Sequence, residues 1–155
     1  MNHKQLALLG FIGVFFCSTI SLAGSIPQTE SDAARISMLE QALAPDSPDA
    51  LATLFATANK NRNAAVQFML FSDQLKNKYK DNWPYWVSGT SSPWITSFTI
   101  KKNVNRENAI QFQITYQWAT ADGPFSPPLV QTIIVEPVPK GTSSSQKYWI
   151  TRFSE

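Results

Sequence analysis

The sequence predicts an α+β fold: N-terminal helices packed on a curved four-stranded antiparallel sheet. Three observations lead there. Apolar residues recur at three- and four-residue steps up to about residue 80, and from Trp83 onward the period becomes two. The two patterns do not interleave, and segregation of that kind belongs to helices stacked on one face of an antiparallel sheet. The join is the stretch from Asn61 to Trp94, which holds three of the five tryptophans (Trp83, Trp86 and Trp94). It is expected to connect the helical layer to the sheet and to supply much of the core between them. At 155 residues the chain is long enough for one such domain.

Residues 1–23 stand outside that domain. Lys4 gives a positive start, Leu6 to Ile20 an uncharged and mostly apolar run, and Ser21-Leu22-Ala23 a small-x-small exit before Gly24. These are the three parts of a cleaved export signal. The alternative is a retained anchor, but the run is shorter than the ~20 apolar residues a spanning helix uses. Phe15 and Phe16 precede Cys17, where a lipidated cysteine requires small residues. Cleavage removes Cys17 and His3, the single cysteine and the single histidine, and with Lys4 it lowers the net charge from +2 to +1. The expected destination is the periplasm or the medium.

Residues 24–30 form a leader, and the domain proper covers 31–155. A first helix is expected from Thr29 or Ser31, where side-chain oxygens and acidic residues favour a helix start. Ile36, Leu39 and Leu43 give it one apolar face, and Pro45 ends it by forcing the preceding residue out of helical geometry. Ser47 caps a second helix with Pro48 at its first position, and Leu51, Leu54, Phe55 and Ala58 form its buried stripe. Asparagines at 59, 61 and 63 are suited to the left-handed turn that closes it. Ala64 to Phe71 is a short helix, apolar on most sides and therefore buried on most sides. Ser72-Asp73 caps a further turn or two with Leu75 and Tyr79 one above the other.

Four strands follow. The first is Trp94 to Asn103. The second is Ala109 to Thr120, where Ile110, Phe112, Ile114, Tyr116 and Trp118 alternate strictly with polar residues. Ala121 to Pro128, with Gly123 and three prolines, reads as a loop. Leu129 to Val138 is the third strand, with Pro137 marking an edge or exit, and Lys147 to Phe153 is the last. Glutamine and threonine are expected on the face away from the helices. Trp94 and Trp118 are expected in the core.

The element order and the segment NRNAAVQFMLFSDQLKNKY, followed by W…SGTSSPW and a strand, resemble the nuclear-transport-factor-2-like (cystatin-like α+β) superfamily, in particular its small exported bacterial domains. The resemblance covers residues 31–153. The β-hairpin that family members often carry between helices has no counterpart in this sequence. The resemblance implies a pocket between helices and sheet, and a homodimer formed through the sheet. It also implies two enzymatic chemistries. Histidine–aspartate dehydration is excluded once His3 is cleaved. Tyrosine–aspartate isomerisation remains open in composition, with Tyr116 facing Glu136 on a neighbouring strand and Asp73 or Asp81 at the pocket rim.

Other chemistries are narrowed by the residues themselves. Without histidine or cysteine there is no Ser-His or Cys-His nucleophile and no zinc set, and no acidic run resembles a calcium loop. The weak, scattered charge does not suit a nucleic-acid partner. Lys76, Lys78 and Lys80 are spaced around a helix rather than along one stripe. Trp83, Tyr85 and Trp86 flank Pro84 in an irregular segment and, with Tyr116, are the candidate ligand-binding residues, either as a stacking platform for a sugar or peptide or as the plug of the core. No cofactor and no metal are expected. The functional expectation is an exported, non-catalytic binding or interaction module for a protein or a small apolar, peptide or glycan ligand. Its alternatives are a Tyr/Asp isomerase or hydratase, or a membrane-anchored subunit of an envelope secretion assembly.

Overall fold

A computed structural model describes residues 27–81, 92–104 and 109–155. Four helices precede a four-stranded antiparallel sheet: α1 (Gln28–Leu43), α2 (Pro48–Lys60), α3 (Ala64–Met69), α4 (Asp73–Tyr79), β1 (Trp94–Val104), β2 (Ile110–Thr120), β3 (Gly123–Pro137) and β4 (Tyr148–Ser154). The strands follow one another across the sheet in chain order, and the sheet does not close. The α+β class and the helices-then-meander order are as the periodicity predicts.

Local chemistry explains the helix boundaries. Ala44, before Pro45, is extended at ψ 121° and ends α1. The Ser47 hydroxyl accepts the Ala50 amide at 3.1 Å and opens α2 with Pro48 in its first turn. Asn63 and Ser72 do the same for α3 and α4, each satisfying an amide that the helix itself leaves free. One expectation fails in detail. The left-handed residue between α2 and α3 is Arg62 (φ 56°), not an asparagine. Its guanidinium donates to the Pro93 carbonyl at 2.9 Å, which pins this turn to the entrance of β1.

The core lies between α2 and the sheet. Leu51, Phe55 and Ala56 of α2 meet Phe112, Ile114 and Tyr116 of β2, Ile133 and Val135 of β3, and Ile150 of β4, all fully or almost fully buried. Phe55, Phe71, Tyr79 and Phe153 form a ring cluster with centroids about 6 Å apart that ties α2, α4 and β4 together. Leu70 to Ser72 lies parallel to β4. Ile150 donates to the Leu70 carbonyl at 2.8 Å and Ser72 donates to the Ile150 carbonyl at 2.9 Å.

Three expectations are corrected. Residues 123–128 are not a loop: β3 begins at Gly123 and pairs with β2 from there, Pro124 opposite Ala119 and Phe125 opposite Trp118. The prolines are accommodated in two ways: Pro127 and Pro128 fall in a register shift between Phe125 and Leu129 where no β2 residue is paired with them, and Pro124 lies where β4, which pairs only with Thr132 to Pro137, no longer flanks β3. Trp94 is exposed rather than in the core, at the start of edge strand β1 and just ahead of the register shift between Ile95 and Ser97. Trp118 is half-buried and follows a second shift, between Tyr116 and Trp118, which takes it out of the core phase. It stacks edge-on against Phe125 at 5.3 Å and donates its indole N–H to the Pro127 carbonyl at 2.8 Å. Trp83, Tyr85 and Trp86 lie outside the described residues, as does most of the Ser88–Ser92 segment.

Candidate functional site

Two places in the fold concentrate polar groups in an ordered way. The first is inside. Tyr116 points from β2 into the core and is fully buried. On β3, Gln131 sits in phase with Ile133 and Val135 and is likewise fully buried. Asn59 occupies the last turn of α2, one turn after Phe55 on the same stripe. Asn59 Nδ2 donates to Gln131 Oε1 at 3.2 Å, and Gln131 Nε2 donates to the Glu155 carboxylate at 2.6 Å. The carboxylate can only accept, so it sets the direction of the chain and each amide turns its NH2 towards it. The Tyr116 hydroxyl lies near this chain, yet no partner meets it in hydrogen-bonding geometry.

Burial pushes the Tyr116 phenol well above its usual range; the Asn59 side chain opposes that shift and the negative charge of Glu155 adds to it. The phenol is therefore neutral at physiological pH. No carboxyl group hydrogen-bonds it. Glu136 does not face it either: Tyr116 pairs with Leu129, whereas Glu136 pairs with Trp149 of β4 and lies on the opposite face of the sheet. Asp73 and Asp81 are exposed. Two neutral amides hold the Glu155 carboxylate and order the end of β4; that carboxylate is the one base of this hydrogen-bonded chain, and it accepts from Gln131 rather than from the Tyr116 hydroxyl. The space expected as a pocket between helices and sheet is filled by Phe55, Phe112, Ile114 and Tyr116.

The second place is the outer face of the sheet. The register puts Thr99, Thr115 and Val130 in one row; Lys101, Gln113, Thr132 and Ser154 in the next; and Asn103, Gln111, Ile134 and Arg152 in a third. Most are half-exposed or exposed, and amides and hydroxyls outnumber charges. This is the glutamine- and threonine-lined face that the alternation predicts. Gln131 is the exception, because it belongs to the inner phase. Towards β4 the face runs into a groove of about 850 Å³ bordered by Gln74 and Lys78 of α4 and by Glu136 and Arg152.

Of the four predicted ligand-binding residues, the structure describes Tyr116 alone. Asn59, Gln131 and Glu155 were not singled out from the sequence. Two of them were within reach of it: Asn59 falls on the α2 stripe, and Gln131 falls on the inner phase of β3. Glu155, beyond the last strand residue, carried no pattern. Among the described residues, no group of three or more His, Cys, Asp or Glu side chains is placed to hold a metal ion, and no helix is long and apolar enough to cross a membrane. The chain matches no protein-family model and no curated relative.

Proposed function

We propose that the chain is an exported, non-catalytic binding or interaction module of the bacterial cell envelope or secretome, and that it takes a protein partner on the outer face of its sheet. The observation that carries this reading is the set of cross-strand rows of amides and hydroxyls from Thr99 to Ser154, open on one side and continuous with the groove beside β4. Such groups donate and accept hydrogen bonds without the desolvation cost of charge, and exposed Val130 supplies an apolar anchor among them. The order of elements is also that of the nuclear-transport-factor-2-like superfamily, and membership in it is part of the proposal. An isomerase or hydratase reading has less support, since it needs a carboxyl group at Tyr116.

Site-specific photo-cross-linking in the producing cell tests the face. A reactive residue at Gln113 is expected to give a discrete adduct, lost when Gln111 and Thr115 are changed to Asp. The same residue at exposed Thr53 on α2 should give none. Turnover of a small ester, lactone or steroid-like substrate, lost in Tyr116→Phe, would replace this reading by an enzymatic one. Intact mass of the exported protein decides the remaining alternative. A chain beginning at Gly24 is expected, and one retaining Met1 to Ala23 would make the protein an anchored subunit of an envelope assembly.

A further inference from the structure

The groove beside β4 differs from the face that leads into it. The face carries mainly amides and hydroxyls, whereas the groove carries charge. Its charged residues are Lys78 of α4, Arg152 of β4 and Glu136 of β3, two cations against one acid. Lys101 adds a third cation on the adjoining face, in the row that ends at Ser154.

The two cations of the groove are not spent inside the chain. Arg35, Lys102 and Lys147 each hold an aspartate, but among the described residues Lys78 and Arg152 hold no carboxylate. Both are exposed. The Lys78 ammonium lies 4.9 Å from the centre of the Tyr79 ring, a contact that leaves its hydrogen-bond donors unused. Neighbouring acids are engaged elsewhere. The Glu155 carboxylate is held by Gln131, and Asp73 borders a separate polar cleft with Lys76 on another side of α4. Glu136 alone among these acids meets the groove, opposite Trp149 and two residues beyond Ile134, which is opposite Arg152. At about 850 Å³ the groove is far larger than one small anion fills, and its size is that of sites that enclose a whole organic ligand. Half-buried Ile134 and Phe153 give it apolar surface, and Gln74, Thr132 and Ser154 bring groups that can meet a peptide backbone. A lone inorganic anion would use the cations only, whereas an extended segment of protein uses both kinds of lining.

We infer that the groove takes an acidic segment of the protein partner, whose Asp or Glu side chain pairs with Lys78 and Arg152 and whose flanking apolar residues lie over Ile134 and Phe153. The inference rests on the sheet-face reading and adds the partner's chemistry to it. The Arg152 guanidinium offers a carboxylate two parallel donors, and Lys78 offers a point charge on a flexible stem. Glu136 is the groove residue that opposes such a partner, so the sign of its effect is diagnostic.

The test compares adducts from photo-reactive residues at Gln113 on the face and at Gln74 on the groove wall, in the producing cell. Both should link one partner, and peptide mapping of the Gln74 adduct should give a segment containing Asp or Glu. Lys78→Glu and Arg152→Glu should each lower the Gln113 adduct about tenfold. Arg152→Lys should keep most of it, and Glu136→Lys should raise it, all with melting curves like that of the wild type. A Gln113 adduct indifferent to both charge reversals leaves the sheet-face reading standing and overturns this inference, whereas absence of any Gln113 adduct removes both. Three further outcomes also overturn it. Adducts that rise with Lys78→Glu and fall with Glu136→Lys mean a basic partner. An adduct of twice the chain mass means a second copy. Flotation of the purified chain on phosphatidylglycerol vesicles, lost in Arg152→Glu, with no acidic segment at Gln74, means an anionic lipid surface.

Discussion

α1 and α2 are neighbours in the chain, and both carry leucine and other apolar residues at helical spacing. α2 buries six residues and α1 buries none. The difference lies in what each helix is anchored to. α2 is capped by Ser47, tethered to β1 by the 2.6 Å Lys102–Asp49 pair, and pressed against all four strands. The linker after α1 is fixed by an exposed 2.7 Å ion pair between Asp46 and Lys147, which holds the carboxyl below and the ammonium above their usual ranges. An exposed pair of that kind adds little to stability. An apolar stripe therefore indicates that a helix has something to bury, not that the same chain supplies the cover.

The sharpest way to break this comparison is truncation on both helices. Phe55→Ala on α2 should cost about 3–5 kcal/mol in urea unfolding. Leu39→Ala on α1 should cost less than about 0.5 kcal/mol. Comparable losses would place α1 in the core. Next in size is the polar chain under α2. Gln131→Ala leaves Asn59 and Glu155 without their partner and should cost about 1–3 kcal/mol, whereas Asn59→Leu with Gln131→Leu should recover most of it. At the helix starts, Ser47→Ala should cost about 1 kcal/mol, while Pro27→Ala, at an end with no side-chain cap, should change thermal stability by less than about 0.5 kcal/mol.

The smallest effect at neutral pH, and the most diagnostic, concerns Tyr116. Its hydroxyl is buried without a good partner, so Tyr116→Phe should leave stability unchanged or raise it slightly. The folded phenol titrates above its ordinary value of 10.0. Its contribution is therefore constant below pH 10 and is lost as pH rises beyond that value, because the unfolded chain then releases its proton first. Wild type should lose stability between pH 8 and about pH 11 by more than Tyr116→Phe does, measured by urea midpoints at both values.

Much of the architecture was legible because each signal was local. The change of period from 3.6 to 2, the Ser47-Pro48 and Ser72-Asp73 starts, the Pro45 stop and the alternation of β2 all act within a few residues. What escaped depends on neighbours. The prolines at 124, 127 and 128 argue against a strand only where their backbone is paired on both sides; Pro124 has one free side, and Pro127 and Pro128 sit in a register shift. Gly123, counted with them towards a loop, adopts φ 124° and opens β3 directly after the Ala121-Asp122 turn. Size and alternation point Trp94 and Trp118 into the core, and two register shifts take them out of it. Of the candidate site, the polar outer face followed from the alternation. The Asn59–Gln131–Glu155 chain did not, since it joins residues far apart in the sequence whose inward phases were visible only one at a time.

The one-sided stretch of β3 also bears on how the protein behaves in a crowd. An open sheet invites stray strands to its rims, and every rim described here is blunted in its own way. The first half of β3 is studded with prolines that cannot donate to an incoming backbone. The rim of β4 is met at Ile150 by Leu70 to Ser72. The long rim strand β1 carries Lys101 and Lys102, both exposed. Backbone pairing by a stray strand is thus opposed at each of these rims, by prolines, by a neighbouring segment or by charge.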